Sequence, residues 1–414
     1  MKQGLLIHNI GLLATPQGIH AKAGEEQGMV HFLQNAWILS QDGILVELGT
    51  GQPPQMPAEV TVLDAGGRLC TPGLVDSHTH LVFGGWRQNE LARKLHGESY
   101  LDILASGGGI LSTVRATRTA SLQELQDKAK DALDQMLATG TTTCEAKSGY
   151  GLDLDTEVRQ LMAIQHLTES HPIDLVPTFL GAHAVPQEYA QDRQGYLDLL
   201  CETILPQIGS QKLADFCDVF CEEGVFTAEE SRRILSAGLA AGMKPKIHTD
   251  EIRDIGGTRV AEALQAISAE HLICCSQEGI AALAKGGTIA CLLPATSLYL
   301  GADFAPARDM IQAGIPVALG SDYNPGSCPC HNLPLVMTLG CLRYRMTPEE
   351  VLTAVTLNGA AAIDRAPLLG SLEPGKQADI LLWDAPDLNY ICYRLGADLI
   401  HTVIKKGTIA LCKN

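Results

Sequence analysis

Six imidazole and carboxylate side chains follow segments with strand-like patterns, and these side chains are common metal ligands. The residues are His78, His80, His183, His248, His271 and Asp322. His78 and His80 are two positions apart in an extended segment, which puts both on one face. Imidazole nitrogens and one carboxylate suit zinc or iron with a position left for water. Each residue alone has an ordinary structural explanation, but their joint occurrence at predicted strand ends indicates a hydrolytic metal site.

A repeated strand–helix pattern must bring these side chains together. Ser121 and Glu124 form a capping box, apolar residues at helical spacing follow, and Gly140 ends the helix before a buried strand at 141–147. Similar units recur down to the helix that opens at Thr347. Repetition over about 300 residues favours a closed α/β barrel of the (β/α)8 TIM type, with a doubly wound open sheet as the alternative. In a barrel, the predicted strand ends share one rim, where active sites form.

Both chain ends contain short extended runs broken by glycine and proline, which predict strands. We therefore expect a small β-sandwich domain built from residues 1–67 and 370–414, and a barrel over residues 68–369. The chain has no run of about 18 apolar residues, so we expect no membrane span.

Composition limits the partners. The net charge is −17, which disfavours nucleic acid and requires a local cation for any anionic substrate. Thirteen cysteines without a C-x-x-C pair predict reduced thiols in a cytoplasmic protein. The oligomeric state is open and a homodimer is compatible with the sequence.

The order of these residues resembles the amidohydrolase superfamily, in which H-x-H follows the first barrel strand, histidines follow the fifth and sixth, and aspartate follows the eighth. Five segments are similar to imidazolonepropionases, which open the imidazolone ring in histidine degradation, and the resemblance covers essentially the whole chain. The segments are Phe83–Arg87, Lys147–Gly151, Gly181–His183, His248–Glu251 and Ser321–Ser327.

The resemblance implies a role for each matching residue. It implies one divalent zinc or iron ion per subunit, held by His78, His80, His248 and Asp322. The propionate and ring of a small anionic substrate would be held by Arg87, Tyr100, Tyr150 and His183. The reacting end would be lined by Glu251, His271, Asn324, Gly326 and Ser327. An arginine beside tyrosine hydroxyls is also a good carboxylate clamp on physical grounds.

The hypothesis that follows is metal-assisted hydrolysis of a cyclic amide. An ion lowers the pKa of bound water from about 15.7 towards about 7. Asp322 would accept the water's proton, and His271 would orient the nucleophile or stabilise the oxyanion. Glu251 would reach the ring nitrogens of the substrate, while the group that protonates the leaving nitrogen stays open.

Two alternatives concern function and two concern single motifs. A deaminase of a purine- or pterin-like base would share the metal site without needing the clamp, and a non-catalytic barrel scaffold would not need the ligand set. Lys147 ends a strand where a carboxylated lysine could bridge two metals, but we predict a structural role. Cys328 and Cys330 lack a second ligand pair, so we predict thiols rather than a metal cluster.

Overall fold

The two ends of the chain meet in one mixed β-sheet. The computed structural model describes residues 4–57, 59–98 and 108–413. Within them the strands of this sheet are β1 (Gly4–Thr15), β2 (His31–Gln41), β3 (Ile44–Thr50), β4 (Val60–Asp64), β5 (Leu69–Pro72), β14 (Ile380–Trp383), β15 (Ile400–Lys405) and β16 (Thr408–Cys412). Their order in the sheet is β16-β15-β14-β5-β1-β2-β3, with β4 beside β1. The sheet thus extends beyond the predicted 1–67 segment, and the domain boundaries stay predictions.

A second sheet consists of parallel strands in chain order, each joined to the next through a segment that contains helix, as expected of repeated strand–helix units. Its strands in the described residues are β6 (Leu74–Asp76), β7 (Thr141–Lys147), β8 (Asp174–Ala182), β9 (Phe216–Cys221), β10 (Lys244–Thr249), β11 (Ser268–His271), β12 (Ile289–Leu292) and β13 (Val317–Leu319). Most of their residues are buried.

This sheet closes just beyond the ends of β6 and β13. The backbone N–H of Asp322 donates to the His78 carbonyl at 3.0 Å, and that of His80 donates to the Tyr323 carbonyl at 2.9 Å. These bonds join the segments that carry three of the proposed metal ligands. The prediction of an α/β barrel with a β-domain from both termini is confirmed, since the described residues form one sheet of parallel strands that closes on itself and one sheet from strands of both chain ends.

Helices surround the barrel, and their ends follow local sequence signals. The capping boxes at Ser121, Thr227 and Thr347 are all formed. The α-helices in the described ranges are Leu91–Leu95, Ile110–Thr119, Leu122–Ala138, Leu154–Ser170, Arg193–Leu199, Leu205–Ser210, Ala228–Ala240, Gly257–Leu264, Gln277–Gly286, Pro294–Leu300, Ala307–Gln312, Leu333–Tyr344, Pro348–Ala354, Leu357–Ala362 and Leu388–Tyr393. None of these helices combines the length and hydropathy that crossing a membrane requires.

Candidate active site

The proposed metal ligands all lie where barrel strands end. His78 and His80 follow β6, His248 is the second-last residue of β10, and Asp322 follows β13. All four side chains are at most 4% exposed. Asp322 adopts φ +55°, in the left-handed region that is unfavourable for most non-glycine residues. Residues far apart in the chain are thus brought to one rim of the barrel.

The ligand atoms of His78, His80 and Asp322 lie within 4.8 Å of one another, and His248 lies next to His80; we call this place the convergence point. Oδ1 of Asp322 lies 3.4 Å from Nε2 of His78 and 3.5 Å from Nε2 of His80, and the Nε2 atoms of His80 and His248 are 3.4 Å apart. Tetrahedral ligands about 2.1 Å from an ion are about 3.4 Å from one another. His78 Nε2 and Asp322 Oδ1 are buried and have no hydrogen-bond partner among the described residues. The donor set therefore fits one divalent ion.

Five buried ionic side chains form what we call the charged layer, next to the ligands inside the barrel. They are Glu145, Lys147, Asp218, Lys246 and Glu270. Lys147 Nζ lies 2.7 Å from an Asp218 oxygen and 2.9 Å from a Glu145 oxygen. Lys246 Nζ lies 2.7 Å from the other Glu145 oxygen and 3.3 Å from Glu270. Each charge has a partner of opposite sign, which a buried charge requires.

The charged layer also contacts two of the histidines on the side away from the convergence point. Glu270 Oε2 lies 2.5 Å from His78 Nδ1, and Asp218 Oδ2 lies 3.0 Å from His248 Nδ1. A carboxylate beside Nδ1 favours the tautomer that carries its proton there, so Nε2 keeps a lone pair for an ion. The layer therefore holds these two imidazoles with Nε2 towards the convergence point.

Lys147 belongs to this layer. Burial opposes a charge on its amine, but Asp218 and Glu145 outweigh burial and raise the pKa of Lys147 above its ordinary value. A lysine is carboxylated from its neutral amine, and an ammonium paired with two carboxylates resists losing its proton. These contacts favour the predicted structural role.

Aromatic and cationic side chains line the space beside the ligands. The Tyr150 ring is buried, and its centroid lies 5.3 Å from that of His183 and 5.8 Å from that of His80. His183 stacks on His80, and burial, with the nearby charges of His248 and Arg87, lowers the pKa of His183 to about 3. A neutral His183 can therefore donate or accept a hydrogen bond at neutral pH.

Arg87 is held at this space by its backbone. Its backbone N–H donates to the Pro325 carbonyl at 3.1 Å. Its guanidinium fills the space that a side chain at position 326 would occupy. Glycine at 326 is therefore required for Arg87 to pack here. The buried Nε of Arg87 has no hydrogen-bond partner among the described residues, which leaves a donor for a ligand. Tyr100, the other proposed clamp residue, lies outside the described residues.

Asn324 organises the loop that follows Asp322. Its Oδ1 accepts from the backbone N–H groups of Gly326 at 2.8 Å and Ser327 at 2.7 Å, and from Ser327 Oγ at 3.1 Å. Its amide nitrogen donates to the Asp322 carbonyl at 2.7 Å. These bonds shape the loop that places Asp322 and Arg87, a function that the residue types alone did not reveal.

Glu251 and His271 lie together at the rim. Oε2 of Glu251 is 3.7 Å from Nε2 of His271. Burial raises the pKa of Glu251 to about 7 and lowers that of His271 to about 4. His271 also belongs to a group with His78 and His248 whose nitrogens lie within 4.8 Å of one another. Both residues can therefore reach a molecule bound at the convergence point.

The cysteine predictions concern a loop beside this site. Cys328 is buried and donates from Sγ to the Ser321 carbonyl at 3.3 Å, and Cys330 is half-buried. All thirteen cysteines lie in the described residues and are free thiols. Neither Cys328 nor Cys330 is in the groups of side chains positioned to hold a metal within the described part of the chain.

Apart from Lys147, the residues of the charged layer were not predicted from the sequence, although the sequence contains a signal for them. Glu145 and Lys147 are two positions apart in one strand, as are Lys246 and His248 in another. Alternate residues of a strand share a face, so each pair points into the barrel. Thr296 was not predicted either: its hydroxyl donates to Asp322 Oδ2 at 2.6 Å, and residue spacing offers no signal for this contact.

Comparisons with known proteins agree on fold and family. A model described as the amidohydrolase family matches residues 226–410. Imidazolonepropionase from Alkaliphilus metalliredigens (strain QYMF) is 49% identical over 418 residues, covering 100% of this chain and 99% of the relative. Imidazolonepropionase from Streptococcus pyogenes serotype M3 (strain SSI-1) is 49% identical over 410 residues, covering 98% and 97%.

Solved structures with the same fold are more distant in sequence. E. coli guanine deaminase superposes with a TM-score of 0.75 at 16% identity, with 100% of both chains covered. Guanine deaminase from C. acetobutylicum with bound guanine gives 0.72 at 16% identity, covering 99% of this chain and 100% of that one. Such identities show the fold alone, so they do not favour the deaminase alternative, and the full-length relatives argue against it.

Proposed function

This chain belongs to the imidazolonepropionase family of amidohydrolases, and we propose that it hydrolyses the cyclic amide of 4-imidazolone-5-propanoate to N-formimidoyl-L-glutamate in histidine degradation. It is therefore a hydrolase. The observation that carries this function is 49% identity along the whole chain to imidazolonepropionases. The convergence of three imidazoles and Asp322 at the barrel rim supports it.

We propose that His78, His80, His248 and Asp322 hold one divalent zinc or iron ion per subunit. When bound, such an ion supplies a water nucleophile at neutral pH and polarises a carbonyl group. The chemistry of the donor set supports either metal, because imidazole and carboxylate ligands suit both. Nε2 of His78 and Oδ1 of Asp322, neither of which has a hydrogen-bond partner within residues 4–57, 59–98 and 108–413, support a single site between them.

Asp322 is proposed to accept the proton of the attacking water. Thr296 donates to Oδ2, which leaves Oδ1 facing the histidines. Burial raises the pKa of Asp322, and a carboxylate with a raised pKa is a stronger base. This assignment makes Asp322 both a ligand and the general base.

His271 and Glu251 are proposed to act on the ring. His271, neutral because burial lowers its pKa to about 4, would orient the water or stabilise the developing oxyanion. Glu251, whose pKa burial raises to about 7, would hydrogen-bond the ring nitrogens and can exchange a proton near neutral pH.

We propose that Arg87 binds the propionate, with Tyr100, Tyr150 and His183 beside it. Asn324, Gly326 and Ser327 would complete the pocket at the reacting end. Arg87 Nε, which has no hydrogen-bond partner in the described part of the chain, supports this, as does the need of an acidic protein for a local cation. Arginine matches the planar geometry of a carboxylate with two parallel N–H donors.

The central test is turnover by the purified chain. We expect it to convert 4-imidazolone-5-propanoate to N-formimidoyl-L-glutamate, measured by loss of imidazolone absorbance and by mass spectrometry of the product. Guanine is the comparison substrate, and we expect no ammonia from it. Ammonia release from guanine without any ring opening of the imidazolone would overturn the proposal.

Substitution of Arg87 with methionine removes the proposed propionate cation. We expect KM to rise by about ten- to a hundredfold, since charge-assisted hydrogen bonds are lost, with a smaller change in kcat. Arg232, exposed on the Ala228–Ala240 helix, gives the matched control Arg232→Met, which should leave KM unchanged. If the Arg87→Met enzyme had the KM of the natural chain, Arg87 would not be part of the carboxylate clamp.

We also propose a cytoplasmic location, a small anionic substrate, no nucleic-acid or membrane partner, and assembly as a homodimer. The net charge of −17 and thirteen free thiols support the location and the partners. Light scattering of the purified protein tests the homodimer, and a monomeric mass would contradict it.

A further inference from the structure

Gln160 is a fully buried side chain that connects two separate segments at the active-site rim. It lies on the Leu154–Ser170 helix, which packs outside the barrel. Its amide nitrogen donates to the Val82 carbonyl at 2.7 Å, and its oxygen accepts from the backbone N–H of Tyr150 at 3.3 Å. Both ends of one amide group are therefore bonded to main chain that is distant in sequence.

The two segments carry different parts of the proposed clamp. Val82 lies between the ligand His80 and Arg87 in the chain segment after β6. Tyr150 lies in the loop after β7, and the neighbouring Gly149 carbonyl lies 3.1 Å from His183 Nδ1. Gln160 therefore links the Arg87 side of the pocket to the Tyr150 and His183 side.

The rest of the Tyr150 loop is held by Glu157, one helical turn before Gln160 and on the same helix face. Its carboxylate accepts from the backbone N–H groups of Gly149 at 3.0 Å, Gly151 at 2.8 Å and Leu152 at 2.8 Å. A side chain at position 151 would meet Thr156 Cβ and the backbone N of Glu157 at 2.8 Å, so glycine is required there. Glu157 shapes the loop internally, whereas the bond from Gln160 to Val82 reaches across to the other segment.

We propose that Gln160 is a positioning residue for recognition of the substrate's carboxylate, because it sets the separation of the Arg87 and Tyr150 sides of the pocket. The inference rests on the proposed function, in which those two residues bind the propionate. Gln160 does not need to touch the substrate. Water cannot easily replace its bonds, since Gln160 and Tyr150 are at most 1% exposed. Their loss leaves buried backbone groups unpaired, and the two segments must shift to satisfy them.

The test replaces Gln160 with methionine, which keeps the side-chain length and removes both hydrogen bonds. We expect KM for 4-imidazolone-5-propanoate to rise by about tenfold while kcat stays within about threefold, because ground-state and transition-state binding of the remote carboxylate weaken together. Metal content should match that of the natural chain. The control is Gln165→Met on an exposed position of the same helix, with KM unchanged. A variant that merely lost folded protein would lower apparent kcat and leave KM unchanged, which would overturn the proposal.

A pair of competitive inhibitors measures carboxylate recognition directly. The probes are imidazole-4-propanoate and 4-propylimidazole, which lacks the carboxylate. We expect Gln160→Met to lower the ratio of their inhibition constants by about tenfold, mainly through weaker binding of the acid. An unchanged ratio in an active variant would overturn the positioning role.

A second variant and measurements on the natural chain distinguish failure of the proposed function from failure of the positioning role of Gln160. Gln160→Leu also removes both hydrogen bonds and places an apolar side chain in this buried position, so it carries the same test if Gln160→Met does not fold. If the natural chain does not open the imidazolone ring, the proposed function fails. If the natural chain binds both probes equally well, the proposed carboxylate clamp fails. If the natural chain passes both tests and neither Gln160 variant changes KM or the probe ratio, only the positioning inference fails.

Discussion

Asparagine in place of Asp322 should lower kcat by about 10²- to 10⁴-fold, the range that a positioned general base contributes. The change keeps the shape of the side chain and an oxygen for the Thr296 hydroxyl, but removes the group that accepts the water's proton. The measurement is steady-state turnover of 4-imidazolone-5-propanoate at saturating zinc or iron, with metal content determined on the same sample. Loss of turnover at full metal content separates proton transfer from metal retention.

The matched control for that variant is Asp309→Asn, at an exposed position on the Ala307–Gln312 helix. We expect its turnover and metal content to equal those of the natural chain. Near-normal turnover by Asp322→Asn with a full complement of metal would show that the proton goes elsewhere, and the assignment of Asp322 as base would fail.

Methionine in place of Lys147 should destabilise the fold by about 3–5 kcal/mol, the typical cost of removing one partner of a buried ion pair. Asp218 and Glu145, both within 2.9 Å of the lysine nitrogen, would keep buried charges without their cation. Because Asp218 also contacts His248, we expect weaker metal retention as well. Urea denaturation gives the free energy of unfolding, and metal analysis after dialysis gives the retention.

Lys130→Met is the control, because it removes the lysine of a lysine–aspartate ion pair that lies on the surface. Lys130 lies 2.8 Å from Asp134, but both side chains are more than half exposed, so water replaces the lost contact and we expect no measurable change. Equal stability of the Lys147 and Lys130 variants would contradict the role of the charged layer. Two metal ions per natural chain would instead revive a carboxylated Lys147.

Much of the candidate site could be predicted because its signals are local. An extended segment places His78 and His80 on one face whatever surrounds it, and a parallel barrel brings the ends of its strands to one rim. The capping boxes at Ser121 and Thr227 fix helix starts through contacts three residues apart. Such relations depend on bonds and steric limits within a short stretch of chain.

Other parts of the site could not be predicted because they depend on contacts between distant residues. Gln160 is an ordinary helical glutamine until the fold places it between Val82 and Tyr150. Asn324 is predicted to line the reacting end of the substrate, but the residue type does not reveal that its oxygen also accepts bonds from the loop beside Asp322. No spacing rule links Thr296 to the carboxylate that it orients.

By itself, the amino-acid sequence determined the alternation of strands and helices, the residue types at the strand ends and the family to which the chain belongs. Only the tertiary structure decided which buried charges pair, which oxygen of Asp322 faces the histidines and which side chains connect the rim loops. The reason is physical: backbone geometry and apolar periodicity act over a few residues. The energy of a buried charge or amide, in contrast, depends on every group that the completed fold packs around it.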